Sequence, residues 1–193
     1  MKKVTDTPLY IALVHWPVLG KTGESVSTTI THFDIHDIAR VSKAYGAKKY
    51  FIIHKMQEQL MYVSRVLSHW NIGEGAGLNP MRQLALSGIE LSESIELAVA
   101  KIEQFEGVRP KVVATAARSL NTDNLVTFRA LRESFATQPI LLLFGTGYGL
   151  TQEVLSSADA LLEPIKGVSS QDYRHLSVRS AVSICLDRLF GSW

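Results

Sequence analysis

Apolar residues in this chain come in two patterns. Short, mostly apolar runs stand at residues 9–16, 49–54, 111–116, 139–144 and 160–165. Such runs read as strands buried on both faces of a sheet. Between them lie longer stretches whose apolar positions fall three or four apart. These predict helices at 31–46 (Ile35, Ile38, Ala39, Tyr45), 57–70 (Leu60, Val63, Val66, Leu67), 92–105 (Ile95, Val99, Ile102, Phe105), 124–135 and 176–190, with a short one ending near Ser157. Thr31 with Asp34 gives a capping-box-like start, and Gly46 an end. A short strand is expected at 89–91. Residues 1–8, 17–30, 118–123 and 167–175 read as polar or loop segments, and 71–79, with three glycines, as a mobile surface loop. Strands and helices alternate throughout, which predicts an α/β fold: a parallel sheet with helices on both faces. No repeat or linker interrupts it, so residues 1–193 form a single domain.

The most informative stretch is 139–155. An uncharged strand runs straight into Gly145-Thr-Gly147-Tyr-Gly149-Leu150, and Thr151 and Glu153 suit a helix start. A glycine turn between a strand and a helix is where open α/β sheets bind nucleotide-like ligands. It is also simply a tight turn, and its spacing alone leaves both readings open.

Other motifs are excluded. Gly20-Lys21-Thr22 ends like a phosphate-binding P-loop, but His15 stands where the first glycine is required. No Gly-x-Ser-x-Gly elbow occurs. The glycines come too late in the chain, and in the wrong spacing, for a dinucleotide fingerprint. His15, His32, His36 and His54 lie near strand ends or first turns without metal-binding spacing, so no metal site is expected. Arg40 shares a helix face with His36. It could hold a phosphate or act at a substrate hydroxyl, or pair with Asp37.

Composition adds little constraint. A net charge of +2 and 46% hydrophobic content describe an ordinary globular protein in which nucleic acid would need a local basic patch. Basic residues gather at Arg40, Lys43, Lys48, Lys49 and Lys55, and again at Arg118, Arg129, Arg132, Arg174, Arg179 and Arg188. Trp70 and Tyr173 sit where a base could stack. The single cysteine, Cys185, lies in an apolar helical pattern and reads as a buried, reduced thiol. No signal peptide or membrane span is evident, so a cytoplasmic protein is expected.

The order of three blocks is more specific than any single motif. Asp34-Ile-His-Asp-Ile-Ala-Arg40 with Tyr45-Gly46, Phe144-Gly-Thr-Gly-Tyr-Gly-Leu150, and Leu176-Ser-Val-Arg-Ser-Ala-Val182 resemble the three motifs of the SpoU/TrmH-like class of SPOUT RNA methyltransferases. Ala114–Arg118 is similar to the strand end that opens that family's knot. The resemblance implies a C-terminal deep trefoil knot and S-adenosyl-L-methionine as cofactor. The cofactor would be held around Thr115, Ala116, Gly145, Leu150, Pro164, Ile165, Gly167 and Leu176, with Gly147 and Gly149 turning the chain beneath it. It further implies Arg40 as the catalytic arginine, RNA (tRNA or rRNA) as substrate, and a homodimer packed through the knot region. The stripe Val178, Val182, Cys185, Leu186 and Leu189 would serve either the core or that interface. The chain departs from the class in three places. His32 and Asp34 stand near the place of the usual asparagine, Gly147 in place of a glutamate, and His175-Leu176-Ser177 in place of Ser-Leu-Asn in the third motif. These departures leave ribose and base methylation both open. They also define an alternative, a non-catalytic RNA-binding module that keeps the cofactor pocket.

Overall fold

A computed structural model describes residues 7–118, 122–135, 138–168 and 173–192. The expected polar start at 1–6 and parts of the segments at 118–123 and 167–175 lie outside the described residues. The elements in chain order are β1 (Leu9–Val14), β2 (Val18–Leu19), β3 (Ser25–Val26), α1 (His32–Ala44), β4 (Lys49–Ile53), α2 (Gln57–Asn71), α3 (Glu74–Leu78), α4 (Pro80–Leu86), β5 (Ile89–Ser92), α5 (Ile95–Glu106), β6 (Lys111–Thr115), β7 (Leu125–Val126), α6 (Phe128–Glu133), β8 (Ile140–Gly145), α7 (Gln152–Ser157), β9 (Ala160–Leu162) and α8 (Val178–Phe190).

Seven strands form one sheet in the order β5-β4-β1-β8-β6-β9-β7, and the neighbouring pairs run parallel. The expected α/β architecture is therefore observed. β1 shows why its run carries no charge: all six of its residues are buried. Leu9, Ile11 and Leu13 face a core built with α1, α2, α4, α6 and α8. Tyr10, Ala12 and Val14 face the opposite core, against α5 and α7. The strand is thus apolar at every position because both sheet faces are covered.

Four expectations are corrected. The 71–79 segment is not simply a loop, because it contains α3, and Asn79 then caps α4 by accepting from the Arg82 N–H while Pro80 fills the first turn. The helix expected at 124–135 is split. Leu125 and Val126 pair with Leu161 and Leu162 of β9, and Thr127 caps a helix that begins only at Phe128. The strand expected over 160–165 ends at Leu162, and the 17–30 loop carries the β2–β3 hairpin. The α8 stripe belongs to the core: Val182, Cys185, Leu186 and Leu189 are buried within this chain, with Val178 packed against them. Among the described residues, no helix is long and apolar enough to cross a membrane.

Candidate active site

β1 and β8 lie side by side at the centre of the sheet. From β1 the strand order leads outward through β4 and β5, and from β8 outward through β6, β9 and β7. The chain therefore departs in opposite directions from this pair, and the crevice beyond the strands' carboxyl ends is the place where open α/β sheets take ligands. A cavity of about 920 Å³ opens there. Its volume falls within the roughly 300–1,000 Å³ of small-molecule sites.

The glycine turn forms one wall. Gly147 and Gly149 adopt φ of +59° and +102°, a left-handed backbone that disfavours side chains. The turn is pinned to the β2 hairpin: Leu19 N–H donates to Gly149 O (2.8 Å) and Tyr148 N–H to Leu19 O (3.2 Å). Gly145 is required for a different reason. A Cβ placed there would sit 2.6 Å from Leu150 N and 2.8 Å from Gly149 C, so the turn folds back directly over it.

Of the residues singled out in the sequence, Thr115, Ala116, Gly145 and Gly147 line this cavity, as do Gly149, Leu150, Ile165 and Leu176. Thr115 is fixed by donating its hydroxyl to Leu143 O (2.9 Å). Pro164 is buried and Gly167 exposed on either side of Ile165, and neither lines the cavity. Arg40 does not line it either. It lies exposed on α1, two turns beyond His32 and away from the rim formed by Thr31 and Asp34.

Asp34 is nearly buried. It is capped by Thr31, whose hydroxyl donates to its carboxylate, and it faces Arg179 of α8 at 3.8 Å. The same arginine lies 3.8 Å from Asp37. The pairing weighed for Arg40 with Asp37 is thus replaced by one from a distant helix. Other sequence-flagged cations are also occupied: Lys48 with Glu106, Lys49 with Glu90 and Arg129 with Glu133. Cys185 lines the cavity, but burial pushes its thiol up to about 12, so it is not a nucleophile near neutral pH.

A hydrogen-bond relay that is invisible in the sequence defines the β1 side. Thr146 Oγ1 donates to Val14 O (3.1 Å), so the hydroxyl proton between Thr28 and Thr146 must come from Thr28. Thr28 Oγ1 must then accept from His15 Nδ1, 3.0 Å away. This fixes the tautomer and leaves the bare Nε2 lone pair buried, with no hydrogen-bond partner among the described residues. Burial above all, then the nearby His54, lowers the His15 pKa from 6.5 to about 4. A histidine kept neutral on folding stabilises the fold fully above about pH 6.5, and that stability is lost as pH falls toward 4, where only the unfolded chain takes up the proton. The loss is worth about 3 kcal/mol. In urea titrations at pH 7.5 and pH 4, His15→Asn, which keeps a donor toward Thr28 without the titration, is expected to narrow the stability difference by about that amount. An unchanged difference would refute the assignment.

Comparison with known proteins fits this geometry. Residues 8–191 match the family described as SAM-dependent RNA methyltransferase. A "tRNA (guanine-N(1)-)-methyltransferase" of Oleidesulfovibrio alaskensis is 40% identical over 183 residues, which is 95% of this chain and 42% of that protein. The chain thus spans less than half the length of this relative. An uncharacterized protein of Aquifex aeolicus is 37% identical over 95% of this chain and 88% of its own length. Among solved structures, the SpoU methyltransferase AviRb of Streptomyces viridochromogenes, in complex with AdoMet, shares the fold at a TM-score of 0.54 and 16% identity, covering 98% of this chain and 58% of that one. The chain belongs to the SAM-dependent RNA methyltransferases, and it shares its fold with the SpoU methyltransferase just compared.

Proposed function

We propose that the cavity beyond β1, β6 and β8 is the S-adenosylmethionine site and that the chain methylates a nucleotide of tRNA. The observation that carries this reading is the Gly145 cradle, a cavity wall so close that no side chain fits beneath the turn. Thr115, Ala116, Gly145, Leu150, Ile165 and Leu176 hold the cofactor, and Gly147 and Gly149 shape the turn. Pro164 and Gly167 set the backbone to either side of Ile165. The cofactor supplies an electrophilic methyl group. The protein's own task is to align it with the receiving atom and to exclude water, which is catalysis by positioning. Arg40 acts on the RNA side of the reaction. The proposal includes the deep trefoil knot, a homodimer and a cytoplasmic setting, where tRNA is met.

The choice of tRNA rests on the name of the Oleidesulfovibrio relative. Guanine-N1 specificity is not carried over, because 42% coverage leaves the larger part of that protein able to supply it. The test is calorimetric titration with S-adenosylmethionine and with NAD, followed by transfer of labelled methyl groups to unmodified total tRNA and to rRNA, with nucleoside analysis of the product. Binding of S-adenosylmethionine alone and label in tRNA are expected. Cofactor binding without transfer to either RNA would favour the non-catalytic module.

A further inference from the structure

Outside the cavity, Arg40 belongs to a second group of residues that otherwise has no role in the reading above. His32, His36 and Arg40 recur every fourth residue on α1 and so share one face over about 12 Å. The stripe begins at the residue after Thr31, which lines the cavity rim. The His32 and His36 rings lie 4.5 Å apart, and His36 meets the Trp70 ring of α2 edge-on at 5.8 Å. His69 packs against the same indole at 5.0 Å, and the Arg82 guanidinium of α4 lies over it at 4.5 Å. The Tyr62 hydroxyl reaches His32 Nδ1 at 3.3 Å. Three helices thus bring histidines, arginines and aromatic rings together at the edge of the cavity. Among the described residues, neither Arg40 nor Arg82 pairs with a carboxylate.

We propose that this cluster is the track on which the RNA backbone rests, its phosphates on His32 and Arg82 and an unstacked base against the exposed Tyr62 ring. The proposal builds on the RNA methyltransferase assignment and adds where the substrate lies. Unpaired cations next to aromatic rings suit phosphates flanked by bases. The electrostatics agree. The pKa of His36 is lowered first by burial, then by His32, Arg82 and Arg40, while Asp37 opposes them. His36 therefore sits in a positive potential, with His32, Asp37 and Arg40 acting from its own helix, Arg82 from α4, and α2 meeting it with the uncharged Trp70 ring. A bound phosphate would reverse that balance and favour its protonation. RNA binding should then take up protons and tighten as pH falls from 8 to 6.

The test measures binding of unmodified tRNA to the full chain across a salt series and at both pH values, for the wild type and for a His32→Ala, Arg82→Ala double variant. S-adenosylmethionine affinity and sedimentation are measured in parallel. The double variant is expected to bind tRNA at least tenfold more weakly, to lose about one to two from the slope of log K against log salt, and to show a weaker pH dependence as the phosphate near His36 is lost, with cofactor affinity unchanged. His32→Gln alone, at an exposed position, covers the case in which the Arg82 change disturbs Trp70; it should give a smaller loss of the same kind. Unchanged tRNA affinity and salt slope would overturn the proposal. So would a change in oligomeric state that accounts for the whole effect, which would make the cluster a contact between copies of the chain. If the wild type ignores tRNA but binds rRNA through these residues, the track stands and the tRNA reading falls.

Discussion

Arg40→Ala is expected to reduce methyl transfer at saturating RNA by a factor of about 10² to 10⁴, the range associated with loss of a positioned catalytic side chain. S-adenosylmethionine affinity should stay within twofold, because Arg40 does not line the cavity. A guanidinium offers donors and no acceptor, so it is not itself a general base. In the proposed reaction the part of Arg40 would be to hold a phosphate or to stabilise charge as the receiving group loses its proton. Arg40→Lys separates these roles. A lysine keeps the charge but not the planar fork, so a role in bidentate phosphate recognition predicts a loss close to that of alanine, and a simple charge role predicts partial rescue. Single-turnover rates measured at several RNA concentrations decide the matter. A loss confined to RNA affinity, with the rate recovered at saturation, would make Arg40 one more phosphate contact in the α1 stripe. An unchanged rate at every concentration would remove it from the mechanism.

What could be read from the sequence follows how local each cause is. The strand at 140–145 was legible because burial on both faces of a sheet leaves an uncharged run, and the turn after it because three glycines mark it. The start of α1 was legible because its cap lies within four residues. β7 was not, since Leu125 and Val126 become a strand only by pairing with β9, a partner far along the chain. α3 was missed because Glu74-Gly-Ala-Gly-Leu78 has poor intrinsic helix propensity, and a tertiary setting overrides it. The site divides in the same way. Eight of the residues that the family resemblance singled out for the cofactor line the cavity, and of these only the glycine turn at 145–150 carried a local signal of its own. The His15–Thr28–Thr146 relay and the Arg179 bridge to Asp34 and Asp37 join residues from three parts of the chain. No spacing rule could have paired them.

The second large effect is expected at Gly145, and a contrast with Gly149 makes it specific. Valine at 145 would put its Cβ 2.6 Å from Leu150 N, against backbone that cannot swing aside like the end of a flexible side chain. The Gly149–Leu150 segment must move, and it is itself cavity wall. Cofactor affinity should fall by about 100-fold or more, equivalent to about 3 kcal/mol, alongside a destabilisation of about 1–3 kcal/mol from overpacking. Alanine carries the same Cβ, so Gly145→Ala should show most of this effect. At Gly149 nothing lies within 4 Å of an added Cβ, and only its φ of +102° resists a side chain. Gly149→Ala should therefore cost about 1–2 kcal/mol of stability through backbone strain while perturbing cofactor affinity far less. Calorimetry with S-adenosylmethionine and urea unfolding of both variants separate the two effects. If Gly145→Ala unfolds no more easily than wild type and binds the cofactor normally, the turn has room that its geometry denies. If Gly149→Ala loses the cofactor as completely as Gly145→Val, the wall depends on the left-handed turn itself rather than on the close approach at Gly145.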